Sequence, residues 1–64
     1  MSKIFKFNAT VQVREWEQEI NLGVMSLTTT DEDGEGRARC FMHVARKVIK
    51  EYGECRTVRL DFLP

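Results

Sequence analysis

RARCFMHVARKVIKEY, residues Arg37–Tyr52, decides the fold. Ala38, Phe41, Ala45, Val48 and Tyr52 recur at steps of three and four, which places them on one face of an α-helix. Met42 and Ile49 widen that stripe, while Arg39, Arg46, Lys47, Lys50 and Glu51 fall mostly on other faces. Gly53 directly after Tyr52 suits the left-handed position that ends many helices. No other stretch has this period. The apolar residues elsewhere must therefore belong to strands that the helix covers.

Working outward, Ile4–Arg14 alternates cleanly. Phe5, Phe7, Ala9, Val11 and Val13 point one way, and Lys6, Asn8, Thr10, Gln12 and Arg14 the other. Period two with one apolar face predicts a half-buried antiparallel strand. Glu15–Glu17 is expected to turn the chain, with the Trp16 ring capping the end of the core. Glu17–Leu27 reads as a second strand in which Ile20, Leu22 and Val24 continue the alternation. Met25 and Leu27 fall on the opposite side after Gly23, and a glycine at a phase change suggests a bulge. That side is also a surface on which a homodimer could close. Thr28–Gly36 is a loop by composition, with Asp33 or a preceding threonine as the expected N-cap. Arg56–Phe62 is the third strand, with Val58, Leu60 and Phe62 facing in.

The order is β-β-α-β. It predicts one α+β domain over residues 1–64, a three-stranded antiparallel sheet in spatial order 2-1-3 with one helix packed on one face. The expected core sets the helix stripe on Phe5, Phe7, Val11, Val13, Ile20, Leu22, Val58, Leu60 and Phe62. The opposite sheet face should be open and polar. A chain of 64 residues buries only about 60% of its unfolded surface, which leaves little room for a catalytic cleft.

Charge is balanced in total and segregated in sequence. Ten acidic and ten basic residues give a formal net charge of zero. The segment 1–14 carries only bases, 15–35 only acids, and 36–64 is mostly basic. Such asymmetry marks a surface with a partner or, more plainly, neutralisation within the fold. No apolar run approaches the roughly 20 residues that span a membrane. The N-terminus alternates instead of forming a leader, so a cytoplasmic protein with reduced thiols is expected.

Candidate chemistry is sparse. Cys40 and His43 are three apart on the helix, and Cys55 follows its end, but no second pair completes a zinc set. A buried thiol and a half-exposed histidine are the plainer reading. Asp31, Asp33 and Glu35 resemble the start of a calcium loop, yet its twelfth position is Met42 where a bidentate glutamate is needed. A Cys40–His43 nucleophilic pair is conceivable, but nothing in the sequence supplies an oxyanion hole or a substrate pocket, and no paired carboxylates or phosphate-cradling glycine loop can be picked out. No cofactor, no metal and no enzymatic activity are expected. Arg37, Arg39, Arg46, Lys47, Lys50, Arg56 and Arg59 make the C-terminal half basic, which would suit phosphates. However, the pI of about 6.6 and the absence of interleaved aromatics on the polar sheet face argue against a nucleic-acid footprint.

In outline, in F-x-A-T-V at Phe7–Val11 and in T-V-R at Thr57–Arg59, the chain resembles small phage-encoded proteins that inhibit host machinery. It is similar both to a short podovirus inhibitor of bacterial RNA polymerase and to small anti-CRISPR proteins. The resemblance implies a non-enzymatic binding protein that blocks a host protein complex in the host cytoplasm. It carries no specific contact residues over. The charge pattern supplies the candidate surfaces. One is the acidic turn and loop, Glu15, Trp16, Glu17, Glu19, Asp31, Glu32 and Asp33, with Trp16 as anchor. The other is the basic set Arg37, Arg39, Arg46 and Lys47. The alternative is a small nucleic-acid-binding or regulatory protein using that basic helix face, as monomer or homodimer.

Overall fold

A computed structural model describes residues 2–64. Its elements are β1 (Ser2–Gln12), β2 (Ile20–Thr30), α1 (Gly36–Tyr52) and β3 (Thr57–Phe62). The sheet is antiparallel in order β2-β1-β3, as the alternation and the crossing helix predict. Both hairpin strands run longer towards the acidic loop than expected, β2 reaching Thr30 instead of Leu27.

β1 is central and carries the core. Phe5, Phe7, Ala9, Val11 and Val13 are buried on the helix side, as expected. Phe7 pairs with Met25 on one side and Phe62 on the other. The Phe62 ring stands edge-on to Phe5, Phe7 and Phe41, with centroids 6.1, 5.6 and 6.3 Å away. Such T-shaped packing sets the positive ring edge against a negative ring face.

Gly23 marks a real bulge. The β1–β2 register shifts between Ala9 and Thr10, where Ala9 faces Gly23 but Thr10 faces Asn21. Leu22 is the extra residue. Gly23 has φ of 84° and its N–H donates to the Asn21 side-chain oxygen at 2.9 Å. The inserted residue reverses the phase of β2. Ile20 and Leu22 face the core before it, and Met25 and Leu27 face the core after it. Met25 and Leu27 therefore do not form the outer dimer surface expected from the sequence; Val24 points outward instead, 66% exposed.

The helix face also differs from the predicted stripe. The buried residues of α1 are Gly36, Cys40, Val44 and Val48, a row at steps of four, with Tyr52 half-buried beyond it. Ala38 is exposed and Phe41 lies on the flank towards β3. The apolar arc of this helix is wide enough to admit either setting. The small residues win because they let the helix backbone approach the sheet. Gly53 ends α1 in the left-handed conformation with φ of 87°, and its N–H donates to the Ile49 carbonyl at 2.7 Å. Trp16 does not cap the core: it sits in the turn closed by the Glu17 N–H to the Arg14 carbonyl, 81% exposed.

Candidate protein-binding surface

The sheet face away from the helix is polar, as expected. At its centre Thr10 is buried, covered by the facing residues Asn21 and Arg59. Asn21 donates to the Thr10 hydroxyl at 3.2 Å and to the Asn8 side-chain oxygen at 3.3 Å.

The acidic candidates fall into two places. Glu15, Trp16, Glu17 and Glu19 lie in the turn between β1 and β2, beside the pairing of Val11 with Ile20. Asp31, Glu32 and Asp33 lie beyond the opposite end of the same ladder, where Ser2 pairs with Thr30. Eleven-residue strands separate the two sets by roughly 30 Å. They are not one surface.

Most of these acids are also occupied. Glu15 pairs with Arg56 at 3.8 Å, Glu17 with Arg14 at 3.0 Å and Glu19 with Arg59 at 3.8 Å. Arg14 additionally reaches Glu54 at 3.3 Å and donates to the Tyr52 carbonyl at 3.2 Å, joining the turn to the end of α1. At the other end Asp31 pairs with Lys3 at 3.7 Å. Exposed pairs of this kind contribute little stability singly, a median of about 0–1 kcal/mol. Their effect here is to cancel the sequence-level charge block.

The loop acids serve the start of α1. Glu35 occupies the N-cap position without a side-chain bond. Neither Asp33 nor a threonine caps the helix, contrary to the expectation. The Asp31 carboxylate instead accepts from the Gly36 N–H at 2.8 Å, placing negative charge at the positive end of the helix dipole. Asp33 accepts from the Glu35 N–H at 3.0 Å and from both terminal nitrogens of Arg39, at 2.9 and 2.6 Å. Arg39 also donates to the Thr30 carbonyl at 3.1 Å.

The Arg39 hydrogen bonds, with the Glu35 N–H, hold the Asp33 carboxyl well below the usual carboxylate range. A depressed folded-state pKa contributes stability above the ordinary aspartate value. That stability is lost as pH falls towards the folded-state value. Acidification below about pH 4 should thus lower the melting temperature of the wild type more than that of Asp33→Asn. Equal acid slopes in paired thermal melts would show that the bidentate pair is not held in solution.

The basic candidates separate as well. Arg37 lies over the Phe62 ring at 5.0 Å, and Arg39 is committed to Asp33. Among the described residues Arg46, Lys47 and Lys50 make no ion pair, and all three are exposed. Arg46 follows His43 on the flank of α1 that faces β2, and Lys47 and Lys50 are exposed further along the helix. Leu27, Thr29, Arg39, Met42, His43 and Arg46 line a groove of about 410 Å³ there. Leu27, Met42 and His43, which complete this groove, lie outside the basic set Arg37, Arg39, Arg46 and Lys47 that the sequence marks.

The cysteines stay apart from this flank. Cys40 is fully buried in the core while His43 is exposed, so the two do not form a nucleophilic pair. Burial pushes both thiols upward in pKa, and Cys55 contacts the Thr57 carbonyl at 3.7 Å. Among the described residues no three His, Cys, Asp or Glu side chains gather as a metal set, and no helix is long and apolar enough to cross a membrane. No family model, curated protein or solved structure matches the chain.

Proposed function

We propose that this chain is a small non-enzymatic binding protein that blocks a larger protein assembly. Its contact surface is the basic flank of α1 beside β2. The observation that carries this is the uneven pairing of charge. Glu15, Glu17, Glu19, Asp31 and Asp33 are neutralised within the fold, whereas Arg46, Lys47 and Lys50 are left to solvent among the described residues. A partner with an acidic rim around an apolar contact would complement these bases and the Leu27–Met42 floor. Trp16 offers a separate anchor in the turn, a residue type enriched among energetically dominant contacts. Inhibition as the outcome is supported by the resemblance to phage-encoded inhibitors of RNA polymerase and of CRISPR effectors. The unpaired bases equally favour a second reading, binding to a phosphate backbone, whose mark is affinity that falls steeply with salt.

Capture from a bacterial lysate with and without nuclease tests both. A protein complex should be retained after nuclease treatment, and Arg46→Glu with Lys47→Glu should weaken its capture by about tenfold or more, each factor of ten being about 1.4 kcal/mol. Undiminished capture by the doubly reversed chain would remove this flank as the contact surface. Loss of all partners on nuclease treatment would select the nucleic-acid reading.

A further inference from the structure

We propose that the free edge of β3 is a self-complementary interface through which two copies of this chain pair, extending the sheet to six strands. The hydrogen-bonding pattern identifies the available groups. The Leu63 N–H donates to the Lys6 carbonyl at 2.8 Å, continuing the ladder beyond Phe7 and Phe62. Antiparallel ladders alternate, so Asp61 and Arg59 also direct their backbone groups to β1. Val58, Leu60 and Phe62 then direct N–H and C=O to the open edge.

Charge selects one register for a two-fold pair. The inward residues 58, 60 and 62 must bond with one another across the axis, which leaves three centred alignments. Centring on Arg59 sets Arg59 against its own copy, and centring on Asp61 sets Asp61 against its own copy. Like charges directly opposite are destabilising. Centring on Leu60 sets Arg59 against Asp61 twice, and Val58 against Phe62 twice. Both charged side chains are open to solvent on the polar face, 61% and 62% exposed, and already lie 4.0 Å apart within one chain.

The helix supplies the second layer. Its β3 flank presents Ala38, Phe41, Ala45 and Ile49, with Arg37 over the Phe62 ring at the start of the stripe, away from the two-fold axis. Phe41 packs on Phe62. Two strand residues advance about 6.6 Å and four helical residues about 6 Å, so Ala45 comes level with Leu60. At the two-fold axis the small Ala45 would meet its own copy, with Phe41 against Ile49 on either side. Phe41 and Ile49 are 38% and 48% exposed in the single chain. The β2 edge has no such match. Its strand carries no charge to choose a register, and its helix flank would bring Arg39, His43 and Arg46 against their copies.

Sedimentation equilibrium over a wide concentration range tests the interface. The wild type should show a reversible monomer–dimer equilibrium. Arg59→Asp and Asp61→Arg should each be monomeric while keeping the wild-type circular dichroism. Mixing the two variants should restore a dimer, because each charge then faces its opposite. Amides of Val58, Leu60 and Phe62 should exchange more slowly at high than at low wild-type concentration, with those of Val24, Ser26 and Thr28 unchanged. A wild type that is monomeric throughout, single variants that dimerise as the wild type does, or a mixture that stays monomeric would each overturn the proposal. So would concentration-dependent protection on β2 in place of β3.

Discussion

Phe7→Ala should leave the chain without a cooperative unfolding transition, or close to that limit. Phe7 is fully buried in the central strand, between Met25 and Phe62, and its ring packs edge-on to Phe62. Truncating a buried phenylalanine costs about 3–5 kcal/mol, through lost transfer energy and the cavity left behind. A domain of this size has a total stability of only about 3–10 kcal/mol. One substitution therefore removes much or all of it. Ile4→Ala is the matched control, since Ile4 lies on the same strand but is 62% exposed on the other face, where changes stay within about 0.5 kcal/mol. Urea melts of the two variants give the comparison. A cost for Phe7→Ala below about 1 kcal/mol would mean that β1 does not hold the core.

Gly36→Ala should destabilise the protein although alanine is the better helix former by about 1 kcal/mol. Gly36 is buried at the first turn of α1, against the β1 strand. A methyl group there would come within 2.5 Å of the Phe5 ring and 2.6 Å of the Asp31 carboxylate oxygen. Neither neighbour yields freely. Phe5 is buried among the aromatic rings, and that oxygen accepts the Gly36 N–H. Overpacking of this kind costs about 1–3 kcal/mol, which outweighs the gain in propensity. Chemical denaturation gives the sign. A stabilised Gly36→Ala would show that α1 sits further from β1 than these distances require.

The strands were legible because period two has only two settings, and five alternating apolar residues in β1 choose between them. β2 was legible up to Gly23, and the glycine itself signalled the bulge. Its lower half was not, because a single inserted residue exchanges core for surface without changing composition. The helix was legible as an element but not in its rotation. Its apolar residues cover more than one face, so the period alone fits both Ala38–Phe41–Ala45 and Gly36–Cys40–Val44. What separates them is size: a glycine and a cysteine fit beneath the helix where Phe41 and Met42 do not. That choice depends on the distance between helix and sheet, which local sequence does not contain. Charge along the chain marks the candidate surfaces. Charge in space differs, because Arg56 and Arg59 reach Glu15 and Glu19 from the far end of the chain, while Arg14 and Arg39 pair locally with Glu17 and Asp33. Only pairing in three dimensions separates Arg46 and Lys47 from Arg39.

The place of β1 at the middle of the sheet also orders events in time. Its first neighbour, β2, follows after a short turn, so the hairpin can close on the microsecond scale of such structures. Its second neighbour is the last strand, and Phe7 meets Phe62 only after nearly the whole chain has been brought round. Joining ends so distant costs chain entropy before any contact compensates for it. The helix forms quickly but finds part of its seat missing until β3 arrives. Docking of β3 should then limit the folding rate, which stopped-flow refolding would read. Substitutions at Val58 or Leu60 should act on the folding rate, while those confined to the β1–β2 turn should leave it nearly unchanged.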